Sequence, residues 1–194
     1  MTTIALIDAD NFYVSVERIF RTELRGKPVV VLSSNDANII ARSAEVKALN
    51  IPMGAPAFEL QALVKEHGIV QVSSNFSLYG DISRRFMKAL ALFTPTLEAY
   101  SIDEAFADMS HVPPDQLREY ALHIRAKILQ YVGIPVSIGI APTKVLAKIA
   151  TEVVKHHPEY QVFSPLRISA RTNALTFSAQ SASKISGVLA EKAL

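Results

Sequence analysis

The sequence predicts an α+β fold: an antiparallel-rich sheet backed by helices, with a small α/β segment inserted near its start. Three observations carry this. The apolar run Ile4-Ala5-Leu6-Ile7 reads as a strand that ends at the acids Asp8 and Asp10. Residues 96–109 read as two short strands, with Asp103 and Glu104 at or near the turn between them. Val136-Ser137-Ile138-Gly139-Ile140 alternates apolar and small residues at the two-residue period of a strand. Helical patterns separate these stretches. The resulting order is strand–helix, inserted segment, helix–strand–strand–helix–strand–helix, with no internal repeat.

The elements follow in turn. Residues 3–8 form the first strand. Residues 11–20 form a helix, with Phe12, Val16 and Ile19 on one face and Tyr13 and Glu17 on another. Gly26-Lys27-Pro28 breaks the chain, and the β-branched run that follows, to Leu32, reads as a buried strand. Ser33-Ser34-Asn35-Asp36 is a loop. Residues 38–49 read as a helix that ends at Asn50-Ile51-Pro52-Met53-Gly54. Residues 57–67 read as another, followed by a short strand at 69–72. From 77 to 93 a longer helix aligns Ile82, Phe86, Leu90 and Phe93. After the acidic hairpin, Pro113-Pro114 opens a helix whose stripe is Leu117, Ala121, Ile124 and Ile128. Residues 143–155 form a helix with Lys144, Lys148 and Lys155 on one face, opposite Leu146, Ile149 and Val153. His156 and His157, adjacent on a helix, point apart and read as a surface pair.

Composition bounds the class. Apolar residues make up 49% of the 194, enough for a substantial core, and charged residues 20%, which argues against a disordered chain. Without cysteine there is neither a disulfide nor a thiolate metal site. Met1-Thr2-Thr3 has no basic segment before an apolar run, so no signal peptide is expected. No apolar run approaches a membrane span. The expectation is a soluble, cytoplasmic protein with no membrane partner. Arg167, Arg171, Lys184 and Lys192 against Glu191 give residues 164–194 a balance of +3, so residues 1–163 carry −1 of the overall +2. That is little excess positive charge for gripping a polynucleotide.

The acids point to chemistry. Carboxylates from two strand ends repel each other unless cations neutralise them. Magnesium prefers oxygen ligands and binds through a few carboxylates together with substrate phosphates. A two-metal phosphoryl-transfer site is the reading this supports. The plainer reading makes these acids turn residues or solvated edges, with Asp10 capping the following helix.

Five stretches then stand together: Asp8-Ala9-Asp10-Asn11-Phe12-Tyr13, Gly26-Lys27-Pro28-Val29-Val30-Val31, residues 40–49 beginning Ile40-Ala41-Arg42, Ser101-Ile102-Asp103-Glu104-Ala105, and residues 139–150 around Pro142-Thr143-Lys144 and Lys148. In order and spacing they resemble the Y-family translesion DNA polymerases, and most the UmuC-like branch, the catalytic subunit of the SOS mutagenic polymerase. The resemblance covers about residues 1–155. It implies a palm at 1–19 and 76–160, a small fingers insertion at 20–75, and a non-matching, disordered tail at 161–194, with the thumb and little finger absent. It implies that Asp8, Asp103 and Glu104 are catalytic and hold two Mg2+ ions, which Mn2+ can replace, with the Ala9 carbonyl as a further contact. Phe12, Tyr13, Arg42, Lys47 and Lys148 are implied at the nucleotide, with Tyr13 as the gate against the ribose 2′-hydroxyl and Lys148 on the phosphates. Ala44 and Lys47 stand where many members carry tyrosine and arginine. A lysine is a point charge where arginine is a fork, and Arg42 is the substitute.

The implied activity is error-prone, template-directed transfer of deoxynucleotides to a primer 3′-hydroxyl in SOS DNA repair. The implied partners are primer–template DNA, deoxynucleoside triphosphates, a UmuD-like accessory protein, a recombinase filament and a sliding clamp. Two other readings remain open: a truncated non-catalytic fragment that binds nucleotide or polymerase partners, and a palm-fold nucleotidyl cyclase.

Overall fold

A computed structural model describes residues 2–157, 162–163, 166–168 and 175–177. Its elements are β1 (Ile4–Ala9), α1 (Phe12–Phe20), β2 (Val29–Leu32), β3 (Ile39–Arg42), α2 (Ala44–Ala48), α3 (Gln61–His67), β4 (Val70–Ser73), α4 (Phe76–Leu90), β5 (Leu97–Ala99), β6 (Glu104–Asp108), α5 (Leu117–Val132), β7 (Val136–Ala141), α6 (Lys144–His156), β8 (Val162–Phe163), β9 (Leu166–Ile168) and β10 (Leu175–Phe177). The fold class is α+β, as the sequence implies. The chain divides into two compact units, one of Met1–Ala9 with Arg85–Leu194 and one of Asp10–Arg84. Among the described residues no helix is long and apolar enough to cross a membrane.

The first unit is built on a sheet of order β5-β6-β1-β7-β8. Every pairing is antiparallel except β7 with β8. Strand β1 lies at the centre, and Ala5, Leu6 and Ile7 are shut away from water because strands flank them on both sides and helices cover the faces. Leu6 stands opposite Phe106 on β6 and Gly139 on β7, and this row packs with Ala141 and Ala147. Period-two alternation then puts Ile4, Leu6 and Asp8 on the face that α6 covers.

Gly139 sets how closely α6 approaches. A Cβ there would lie 2.2 Å from the Thr151 backbone nitrogen and 2.5 Å from the Ala147 carbonyl oxygen. The Thr151 hydroxyl uses this closeness, donating to the carbonyls of Ala147 and Leu6 at 2.9 and 3.3 Å. Only small residues fit the seam, so Ala147, Ala150 and Thr151 are buried beside Val153 and Val154. Leu146 and Ile149, expected on the buried face, are only half-buried for the same reason. Helix α5 buries the expected stripe of Leu117, Ala121, Ile124 and Ile128. It starts at Leu117 rather than at the prolines.

Strand β8 extends the sheet past residue 161, and Val162 is buried in it. Strands β9 and β10 pair with each other, antiparallel. These three short strands fall in the stretch expected to be disordered. The rest of residues 161–194 lies outside the described residues.

The second unit holds a three-stranded sheet of order β3-β2-β4, antiparallel between β2 and β3 and parallel between β2 and β4. Val30, Leu32, Ile39, Val46, Ile51, Ala57 and Ile69 form its core. The single helix expected over 38–49 is a strand and then a short helix, and Ser43 makes the change. Its amide donates to the Val29 carbonyl at 2.9 Å and its hydroxyl accepts from the Val29 amide at 3.0 Å, which holds residue 43 extended at the end of β3. The same hydroxyl caps α2 by accepting from the Val46 amide. Similarly, 57–67 opens with a 3-10 turn at Ala57–Leu60 before α3.

Candidate active site

In the first unit, the acids stand at the end of the β1–β6 ladder. Asp8 pairs directly across from Glu104, and the Ala9 amide donates to the Asp103 carbonyl at 2.9 Å, one position further along. Residues facing each other in such a ladder have Cβ atoms about 5 Å apart, so two carboxylates are forced together. Ser101 shapes the turn that presents them. Its hydroxyl accepts from the Glu104 amide at 3.1 Å and donates to an Asp103 carboxylate oxygen at 2.7 Å. The amides of Tyr100 and Ser101 both donate to the Glu104 carbonyl. The expected arrangement, two short strands with the acids at the turn, is present.

The lysine face of α6 crosses this sheet, and each lysine meets an acid on a different strand. Lys144 bonds Glu98 of β5. Lys148 stands 3.4 Å from Glu104 of β6, with its ammonium 4.6 Å from the centre of the Tyr100 ring. Lys155 makes the closest contact with β1, 2.6 Å from Asp8 Oδ2, and also reaches Glu152 at 3.4 Å. The acids lack cationic partners within their own motifs, but α6 supplies them. Lys155 was not among the expected site residues. Its regular spacing with Lys144 and Lys148 was the available signal.

Burial governs the charge state. Asp8 is 5% exposed. Burial pushes its carboxyl up to about 7, further than Lys155 pulls it down, and Glu104 adds to the rise. Burial works against the Lys155 ammonium, but Asp8 and Glu152 outweigh it and hold its pKa above the usual lysine value. Among the described residues, no three His, Asp or Glu side chains enclose a cation by themselves. The carboxylate donors at this corner are nonetheless all oxygen, and the burial of Asp8 outweighs what Lys155 offsets. That chemistry suits a hard divalent cation.

An expected result follows for Lys155→Met. Removing one partner leaves Asp8 buried without its counter-charge, at a cost of about 2 kcal/mol, below the usual cost of breaking a fully buried pair because the lysine is partly solvated. The folded pKa of Asp8 is raised, so its contribution to stability is present below the unfolded value near 3.8 and lost as pH rises through about 7. The deficit of the variant should therefore be small at pH 5 and full at pH 8. Thermal denaturation across that range, without metal, checks it. A deficit that is equal at both ends contradicts the pairing.

The second unit carries the other expected residues. Phe12 is buried, its ring 5.7 Å from that of Tyr13. The half-buried Tyr13 stacks on Tyr79 with centroids 4.5 Å apart. Asp10, expected as the cap of this helix, stands one residue before the cap position. The cap position of α1 is Asn11, in the left-handed region at φ 49°, with no side-chain cap bond. Arg42 donates from Nη1 to the Ile51 carbonyl, and its Nε is buried with no hydrogen-bond partner among the described residues. Lys47 is exposed in the last turn of α2. Sequence reasoning placed Glu17 on a helix face but not in the interior. It is buried, bonded to Tyr79.

The impB/mucB/samB family model matches residues 7–152. UmuC of Salmonella typhimurium strain LT2 is 45% identical over 152 residues, which is 78% of this chain and 36% of that protein. The crystal structure of DinB from Sulfolobus solfataricus is similar with a TM-score of 0.75 and 27% identity, covering 84% of this chain and 48% of that one. An insertion ternary complex of Dbh DNA polymerase gives 0.71 and 27%, covering 77% and 45%. The chain thus spans less than half the length of each. The motifs that resembled the UmuC-like polymerases, their order and the sheet that carries their acids all point one way: the chain belongs to the impB/mucB/samB family.

Proposed function

We propose that this chain carries the nucleotidyl-transfer site of an error-prone translesion DNA polymerase. The observation that carries the reading is the cross-strand pair of the buried Asp8 with Glu104, with Asp103 one ladder position away and a row of lysines alongside. Asp8, Asp103 and Glu104, with the Ala9 carbonyl, would hold two divalent cations, magnesium or manganese. When bound, such ions lower the pKa of a primer 3′-hydroxyl and neutralise the triphosphate and the leaving pyrophosphate. The chain's own residues do the rest. Asp8, which Lys155 holds in the metal-free chain, would be the buried ligand to such a cation. Lys148 screens phosphate charge from the rim of the sheet. Ser101 fixes the turn that carries Asp103 and Glu104, since such catalysis is mostly positioning and charge neutralisation. Tyr13 packs against C2′ of the sugar and excludes a 2′-hydroxyl. Arg42, Lys47 and Phe12 complete the nucleotide contacts.

The relatives named above include a polymerase whose complex is described as an insertion ternary complex, which supports DNA and a nucleotide as ligands. The test is primer extension by this chain at low ionic strength with manganese. The reading expects addition of the base that matches the template. A cyclic nucleotide formed without DNA would identify a cyclase instead. Nucleotide binding with no extension under any condition would leave the non-catalytic fragment.

A further inference from the structure

Glu17 is a buried carboxylate with no task in the chemistry above. It lies one helical turn beyond Tyr13 on α1 and is 6% exposed. Its Oε1 accepts a 2.7 Å hydrogen bond from the hydroxyl of Tyr79 on α4. Tyr79 is fully buried. Its ring lies against that of Tyr13, with centroids 4.5 Å apart and planes at 27°. Phe76 closes edge-on against both, at 6.1 Å from Tyr13 and 6.0 Å from Tyr79.

Packing alone does not ask for this polar pair. Phenylalanine has the same ring, and burying a carboxylate costs free energy that one hydrogen bond only offsets. The bond does something a phenylalanine does not. A tyrosine ring is anchored at its Cα, and the bond to Glu17 anchors the far end too. The plate on which Tyr13 rests is then pinned at both ends. Burial and the neighbouring carboxylate hold the Tyr79 phenol well above its usual range, so it remains a donor at neutral pH.

We infer that Glu17 and Tyr79 are positioning residues for Tyr13: by pinning the ring beneath it, they set how sharply Tyr13 separates deoxyribose from ribose. The inference rests on the proposed role of Tyr13 at the sugar. It concerns selectivity and not the overall strength of nucleotide binding, because neither residue is assigned to the phosphates or the acids.

The experiment measures Kd for dATP and for ATP, with manganese, on the whole chain by calorimetry. The informative variant is Glu17→Leu combined with Tyr79→Phe. It replaces a bonded polar pair by apolar groups of similar shape, which is nearly neutral for stability, and it keeps the stacked ring while removing the pin. The expected result is a fall of about tenfold in the preference for dATP, the scale on which small misplacements near a reacting sugar act, with Kd for dATP itself little changed. Glu17→Gln, whose side-chain oxygen still accepts the phenol hydrogen, should keep the parent's preference. Tyr13→Ala should lose it. If the double variant keeps the parent's preference while Tyr13→Ala loses it, the pin has no role and the gate stands. If Tyr13→Ala keeps it, the gate reading fails and the inference fails with it. A double variant that weakens both nucleotides equally also overturns the inference, since that is the signature of a merely structural pair.

Discussion

Asp103→Ala should remove nucleotide-dependent magnesium or manganese binding. Asp103 is held in its turn twice: its carbonyl takes the Ala9 amide at 2.9 Å, and its carboxylate takes the Ser101 hydroxyl at 2.7 Å. The backbone bond survives truncation of the side chain, so the ladder should keep Asp8 opposite Glu104. What is lost is one of the three carboxylates proposed to hold the cations. Outer-shell changes around a metal commonly cost 10- to 100-fold in affinity, so losing a ligand should cost about 100-fold or more. Thermal stability without metal should stay close to that of the parent, because the side chain sits in the exposed turn. Calorimetric titration with dATP and manganese checks both points. An unchanged isotherm removes Asp103 from the site.

Gly139→Ala should destabilise the first unit strongly. The added Cβ meets the Thr151 nitrogen at 2.2 Å and the Ala147 carbonyl at 2.5 Å, and both atoms belong to the α6 backbone. Backbone does not move aside as a side-chain tip does, so the whole helix must lift from β7. Overpacking of this kind costs about 3 kcal/mol. The effect reaches the proposed site, because Lys148 and Lys155 ride on the same helix. The Thr151 bond to the Leu6 carbonyl should break as well. Chemical denaturation measures the loss. Divalent-cation binding, measured alongside, should change with it, since the lysines no longer stand over Glu104 and Asp8. Wild-type stability in this variant would mean that α6 does not approach β7 as described.

Most of the first unit was legible in the sequence because its signals are local. The apolar run of β1, the small–large alternation of β7 and the Leu117–Ile128 stripe of α5 each fix an element without reference to another. The acids were legible for the same reason: chemistry-bearing residues at strand ends stand out against apolar flanks. The stretch 38–49 was not legible. Ile39-Ile40-Ala41-Arg42 suits a helix or a strand, and only pairing with β2, fixed by two bonds between Ser43 and Val29, decides for the strand. The partner of Asp8 was hidden by distance in the chain, since Lys155 lies 147 residues away. Its helical face was readable, but which strand it crosses depends on sheet register. Glu17 escaped in the same way. A glutamate in an amphipathic helix normally faces water, and nothing local announces a Tyr79 hydroxyl waiting in the interior.

The oxygen donors of Asp8, Asp103 and Glu104 are proposed to bind divalent cations together with a nucleoside triphosphate. The direct measurement is electron paramagnetic resonance of manganese, counting the ions held by the chain with and without dATP at pH 8, where Asp8 is ionised. Two ions should be retained per chain when dATP is present, with weaker retention as pH falls through about 7, where Asp8 takes up its proton. A count that does not rise on adding dATP beyond what dATP holds alone would contradict it.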